Sequence, residues 1–150
     1  MQKLPLSLAL ISLITLIPIV PAQASTEQQC LSAIADAQQR LQGTLNVDII
    51  TRVDDQSKFR SDYPKGRPMS YTFGFKGPAA ETLMNSFRLQ ENVATQIITG
   101  CTSLSAITFG YWNSGWFHTY GLMPNGKIQP FECIEPGIGN KPKWGQVVCT

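Results

Sequence analysis

Four cysteines, Cys30, Cys101, Cys133 and Cys149, all lie behind an N-terminal stretch, "MQKLPLSLALISLITLIPIVPAQA", that has the order of an export leader. Lys3 supplies a positive start. Leu6 to Val20 run without a charge, and Pro21 precedes the small-x-small triplet Ala22-Gln23-Ala24. That pattern marks a segment cleaved on secretion. A membrane helix is the competing reading, but the run falls short of the roughly 20 residues that span hydrocarbon, and Pro18 interrupts it. Cleavage near Ala24 leaves residues 25–150, a single domain's worth of chain without a further membrane span, expected in a periplasm or outside the cell. An even number of cysteines in such a chain reads as two disulfides. No two are spaced as in C-x-x-C, so neither metal nor cofactor is expected, and a nucleophilic cysteine would have to stay reduced against its compartment.

Four cysteines permit three pairings. The favoured one joins Cys133, at the end of the last clear strand, to Cys149 near the chain terminus. It fastens a Pro/Gly-rich tail by closing a loop of about 15 residues, for which the chain-entropy model gives ~3 kcal/mol. Cys30 then joins Cys101, tying one helix end to another.

Between these anchors the chain alternates between helical and strand periods. Residues 26–42, with apolar positions at Leu31, Ile34, Ala35 and Leu41, predict an amphipathic helix capped by Ser25 or Thr26 and stopped by Gly43. "TLNVDIITRV" reads as a short strand, and "DDQSKFRSDYPKGRP" as a long polar loop. "MSYTFGF" alternates cleanly, with Met69, Tyr71, Phe73 and Phe75 on one face. Two short helices are expected next: one burying Leu83, Met84 and Phe87, the other turning Val93, Ile97 and Ile98 inward with Gly100 as its C-cap. Strands follow at 104–111, 116–122 and 127–133, the last two joined through Asn125-Gly126, with an edge strand at 146–149. The fold class is α+β: an antiparallel sheet of four to five strands, helices packed on one face, two disulfides.

The stretch "FGYWNSGWFHTYG" concentrates the aromatic side chains and holds the only histidine. Read as a three-residue hairpin loop, Asn113-Ser114-Gly115 with Gly115 left-handed, it sets Trp112 opposite Trp116, Gly110 opposite His118 and Thr108 opposite Tyr120. One face then carries Ile107, Phe109, Tyr111, Phe117 and Thr119 and suits a core. The other carries Trp112, Trp116, His118 and Tyr120, with Gly110 leaving a hollow beside the imidazole. A sheet face turned to water is ordinarily polar. Either the tail with Trp144, or the loop with Phe59 and Tyr63, folds across that second face, or it grips a protein, peptide or carbohydrate. A slip of one residue in register exchanges the faces.

Signals for chemistry are sparse. His118 is the one imidazole base, and Ser103, Ser105, Ser114 and Asp62 are the residues that would complete a triad, yet no G-x-S-x-G elbow is present. Glu132 with Glu135, and Asp54 with Asp55, are carboxylate pairs whose default is solvated surface. "KFRSDYPKGR" mixes basic and aromatic residues, but Asp62 dilutes its charge. The formal net charge is +2, one unit of it from Lys3 in the leader, which gives no electrostatic reason to expect nucleic acid or an anionic membrane surface. The reading is an exported binding or interaction module rather than an enzyme. Its alternatives are a small secreted hydrolase using His118, and a protease inhibitor presenting the loop Tyr63 to Pro68.

The segments "YPKGRPMSYTFGF", "QIITGC", "ITFGYWNSGW" and "FECIEPG…WGQVVC" together resemble small exported proteins of cyanobacteria. That resemblance implies a periplasmic or extracellular location and carries no activity and no site residue.

Overall fold

Apolar alternation and helical spacing resolve into a helical layer against one face of a sheet. The computed structural model describes residues 26–43, 45–137 and 141–149. The leader at residues 1–24, its cleavage point at Ala24 and the capping candidate Ser25 lie outside them. In chain order the elements are α1 (Thr26–Gln42), β1 (Asp48–Asp55), a 3-10 turn (Gln56–Lys58), β2 (Met69–Lys76), α2 (Ala80–Met84), α3 (Phe87–Gly100), β3 (Leu104–Tyr111), β4 (Phe117–Leu122), β5 (Ile128–Pro130), β6 (Glu132–Ile134) and β7 (Gln146–Val148). Strands β1 to β5 lie side by side in sequence order, and β6 pairs with β7 in a separate ribbon.

The sheet is mixed rather than wholly antiparallel: β2 and β3 run parallel, and the other three neighbouring pairs are antiparallel. A parallel pair needs a crossover of a dozen or more residues, and α2 with α3 provides it. Alternation within a strand is the same for either direction, so the helices between 76 and 104 were the signal for the parallel step.

The core lies between that crossover and the sheet. Phe73, Phe75, Ile107 and Phe109 from β2 and β3 are fully buried against Leu83, Met84, Val93 and Ile97 from the helices. Phe109 stacks on Phe73 with ring centroids 5.7 Å apart and meets Tyr120 of β4 edge-on. Helix α1 leans on α3 through Ala37 and Leu41, both buried, while Leu31 is exposed. The inward stripe therefore runs through Cys30, Ile34, Ala37 and Leu41, one position round from the expected one, because the disulfide fixes Cys30 inward. Phe87, expected in the core, opens α3 and stays more than half exposed. Gly100 is the last helical residue and Cys101 the C-cap. The strand expected over 127–133 breaks at Phe131 into β5 and β6.

Both favoured disulfides are present: Cys30–Cys101, with Cα atoms 4.5 Å apart, and Cys133–Cys149, 5.6 Å apart. They fit an oxidising environment such as a periplasm or the cell exterior. No helix among the described residues is long and apolar enough to cross a membrane.

One side chain in the long loop organises the junction of these elements. Arg67 Nη1 donates to the carbonyls of Ile98 (2.8 Å), Cys101 (3.1 Å) and Leu104 (3.0 Å). The last carbonyls of a helix have no partner within it and form its negative end, and the guanidinium meets both needs. Two further bonds join β2 to β3 at the same level: Met69 N–H to Ser103 O, and Ser105 Oγ to Met69 O. Replacing Arg67 by methionine keeps much of its length but removes the charged donor from those carbonyls, of which Cys101 O keeps the Leu104 N–H. The expected loss is about 2–3 kcal/mol, the scale of hydrogen bonds to a charged group. It would be read as a lower urea midpoint at unchanged slope. A loss under about 0.5 kcal/mol, typical of a surface change, would show that the loop is not held this way.

Candidate functional site

The hairpin at the centre of the sequence closes in a different register from the expected one. Tyr111 N–H donates to Trp116 O, so four residues, Trp112 to Gly115, form the loop. Asn113, not Gly115, takes the left-handed conformation, at φ 60°. Asparagine tolerates that region better than most side chains. Ser114 stabilises the loop: its Oγ donates to Tyr111 O and accepts from Trp116 N–H. Trp112 N–H reaches Phe75 O, extending the β2–β3 ladder to the loop.

The pairs are consequently Phe109 with His118, Gly110 with Phe117, Thr108 with Thr119 and Ile107 with Tyr120. The four residues expected on one face are divided. Trp116, His118 and Tyr120 lie on the helix side, and Trp112 lies on the opposite side with Phe117. The hollow expected between Gly110 and His118 is absent, because Phe109 stands opposite the imidazole. Phe117, expected in the core, is 38% exposed.

On the helix side the aromatic residues form a structural chain. Tyr111 stacks on Trp116, Trp116 meets His118 edge-on, and Phe87 lies against His118 with centroids 4.9 Å apart. Gln90, fully buried, donates its amide hydrogens to Leu83 O and Met84 O. Its Oε1 is therefore the acceptor for His118 Nδ1 at 3.0 Å, and His118 Nε2 accepts from Trp116 Nε1–H at 3.3 Å. The imidazole is thereby held neutral with its hydrogen on Nδ1, and burial pushes its pKa below the ordinary 6.5. Its partners are an amide and an indole, and three of the four triad candidates are engaged elsewhere. Ser114 bonds the loop, Ser105 is buried against Met69 O, and Asp62 is held by Arg60 and Trp144. Tyr120 is buried, with its hydroxyl 3.4 Å from Phe87 O.

The opposite face has the polarity expected of a sheet surface turned to water. Ser70, Thr72 and Gly74 of β2 run beside Thr108 and Gly110 of β3 and Thr119 of β4. They floor a shallow trough of about 520 Å³. Trp112 and Phe117 stand at one end. Arg52 and Asp54 of β1, joined by an ion pair of 2.8 Å, stand along the side with Gln56. Gln56 Nε2 donates to Ser70 Oγ at 2.6 Å, and the Thr108 and Thr119 hydroxyls are 2.9 Å apart. Trp112 is 41% exposed and rests on Gly74, where a Cβ atom would come within 2.7 Å of its ring.

The far end of this face is covered by the tail. Phe131 and Trp144 lie over Gly121, and Trp144 Nε1–H donates to Leu122 O at 2.8 Å. The long loop holds the tail through Arg60 and Asp62 rather than through Phe59, which is 77% exposed. Arg60 stacks over the Trp144 ring and donates to Pro142 O, and Asp62 accepts from Trp144 N–H. The Arg60 guanidinium holds the Asp62 carboxyl below the usual range. The carboxylate pair Asp54–Asp55 has local work: Asp54 pairs with Arg52, and Asp55 caps the 3-10 turn by accepting from Ser57. Among the described residues no group of acidic, histidine or cysteine side chains is placed to hold a metal ion.

Sequence reasoning reached Trp112 but missed Arg52, Thr72, Thr108 and Phe117. Arg52 and Asp54, two positions apart on β1, were a readable sign that this end of one strand face is polar. Turn propensity alone does not set the hairpin register, because Asn113 and Gly115 are both able to adopt the left-handed conformation. The chain matches no protein-family model, and no curated protein or solved structure is significantly similar to it.

The neutral imidazole makes a pH prediction. The unfolded chain takes up a proton near pH 6.5, while the folded state resists it until lower pH. Stability is therefore complete above that value and falls as pH drops through it toward the lowered folded pKa. Asparagine at position 118 retains a donor toward Gln90 and removes the titration. Urea midpoints between about pH 5.5 and 7 should slope upward for the native chain and lie flatter for His118→Asn. Equal slopes would contradict the assignment.

Proposed function

We propose that this chain is an exported binding module whose ligand lies in the trough on the uncovered sheet face. The observation that carries the reading is the coincidence there of a half-exposed indole, a second exposed ring and a floor of small hydroxyl side chains. Ligand sites combine apolar surface with a few placed polar groups in this way. Trp112 is the anchor. Trp116, His118 and Tyr120 serve the helix side, so the binding role expected of all four passes to the one that faces the trough.

The rival readings have less support. A hydrolase built on His118 would need a serine and a carboxylate at its ring nitrogens, which bond Gln90 and Trp116 instead. An inhibitor loop at Tyr63 to Pro68 would present its basic side chains to a protease; Lys65 is exposed, but Arg67 points into carbonyls of α3 and β3. Removal of residues 1–24 during export is the companion proposal, supported by the leader's charge, apolar run and cleavage triplet together with the two disulfides.

Two measurements test these statements. Intact mass of the exported protein should show loss of residues 1–24 and four hydrogens fewer than the reduced chain, one pair for each disulfide. A retained leader would overturn the export reading. On immobilised glycan and peptide arrays, Trp112→Ala should abolish the signals of the native protein and Trp116→Ala should keep them, with both variants folded. Signals that survive Trp112→Ala would remove the trough from consideration.

A further inference from the structure

We infer that the trough is built for a short neutral oligosaccharide, an inference that rests on the trough being the ligand site. Three properties of its walls select that class. The first is charge. Among the described residues, Arg52 and Asp54 are the only charged ones on the lining, and they neutralise one another across 2.8 Å. A phosphate or uronate would have to draw Arg52 away and would then face the released Asp54 carboxylate. A cation meets the converse difficulty.

The second property is the kind of hydrogen bond on offer. The backbone groups of β2, β3 and β4 are committed to the sheet ladders, so the floor presents side chains: Thr72 and the linked pairs Thr108–Thr119 and Gln56–Ser70, with Thr119 and Ser70 the deepest. A threonine hydroxyl donates once and accepts twice, which matches sugar hydroxyls of the same dual character. An extended peptide is recognised best where a sheet edge leaves backbone groups unpaired, and the trough lies on the face. The Arg52–Asp54 pair adds a planar donor fork beside an acceptor carboxylate. Charge-assisted bonds from such groups suit neighbouring hydroxyls on one ring.

The third property is aromatic placement. The faces of many pyranose rings are C–H surfaces and their rims are hydroxyls, so they need a flat apolar wall beside a polar floor. Trp112, whose ring lies on Gly74, and Phe117, the cross-strand partner of Gly110, are both exposed by over a third. Glycine at position 74 lets the indole lie close to the floor. The volume of about 520 Å³ lies within the range of small-ligand sites.

The test is a tryptophan-fluorescence titration of the exported protein with cello-, xylo-, manno-, malto- and N-acetylchito-hexaose, set against hexagalacturonate as the acidic probe. At least one neutral hexaose should bind saturably and about tenfold or more tightly than the acidic one. Trp112→Ala should weaken that binding about tenfold or more, the scale of an interface anchor. Gly74→Ala provides a second variant: its Cβ displaces the indole without removing it, and it too should weaken binding while the fold, followed by circular dichroism, persists. Asp54→Ala frees Arg52 and should narrow or reverse the preference against hexagalacturonate. Failure of all five neutral hexaoses, or an equal or stronger response to hexagalacturonate by the native protein, overturns the inference. If Trp112-dependent signals on the arrays come from peptides alone, the oligosaccharide falls while the trough stands. If no probe of either kind depends on Trp112, both fall.

Discussion

The geometry of this protein depends on a guanidinium at the end of a helix. Arg67 comes from a polar loop in which its charge suggests a solvated surface, yet it gathers the carbonyls of Ile98, Cys101 and Leu104 around one nitrogen. Three elements meet at that point: β2 begins, α3 ends and β3 begins. The Cys30–Cys101 disulfide brings α1 to the same place. The parallel pair is thus aligned at its start, with Met69 beside Leu104 and then, past an irregularity, Ser70 beside Ala106. Because side chains alternate along a strand, fixing this register fixes both faces of the sheet. Thr72 beside Thr108, and Gly74 beside Gly110, follow from it.

The same logic separates what was legible in the sequence from what was not. The bounds of α1 and β3 could be read because each is a sustained periodic run with a clear stop. Cysteine pairing was readable because the tail needed a fastening and two helix ends needed a tie. Register was a different matter. Asn113 and Gly115 sit two positions apart, each suited to a positive φ, and the choice between them moved Trp112 and Trp116 to opposite faces. The difference is decided by Ser114, which bonds both ends of the loop, and by Trp112 N–H pairing with Phe75 across a strand distant in sequence. Phe87 and Leu31 followed the same pattern: their apolar character was visible, but not the rotation of the helix carrying them. The trough escaped notice because its floor is made of threonines, serine and glycines, residue types with no local signature of function.

The open face uses one device twice. At one end Trp112 rests on Gly74; at the other Phe131 rests on Gly121, with Trp144 edge-on to it. In each case a glycine within a strand lets an aromatic ring approach the backbone closely. The second instance is sealed by its surroundings, since Trp144 packs against Phe131, Arg60 lies over the Trp144 ring and Leu122 O takes the indole N–H. The first is left half exposed. The contrast explains how a single surface both anchors the chain's own tail and leaves a recess beside it.

The ends of the five-stranded sheet carry a consequence for how the protein meets other copies of itself. A sheet edge is a template on which a foreign strand can add. Strand β1, on one edge, places Asp48, Arg52, Asp54 and Asp55 along its length, and β5, on the other, is three residues long and ends in Pro130. An incoming strand on the first edge would have to crowd charges against its own side chains. On the second it would find too few backbone groups, one of them without an N–H. The charged strand that borders the trough therefore also guards the protein against polymerising through its own hydrogen-bonding pattern.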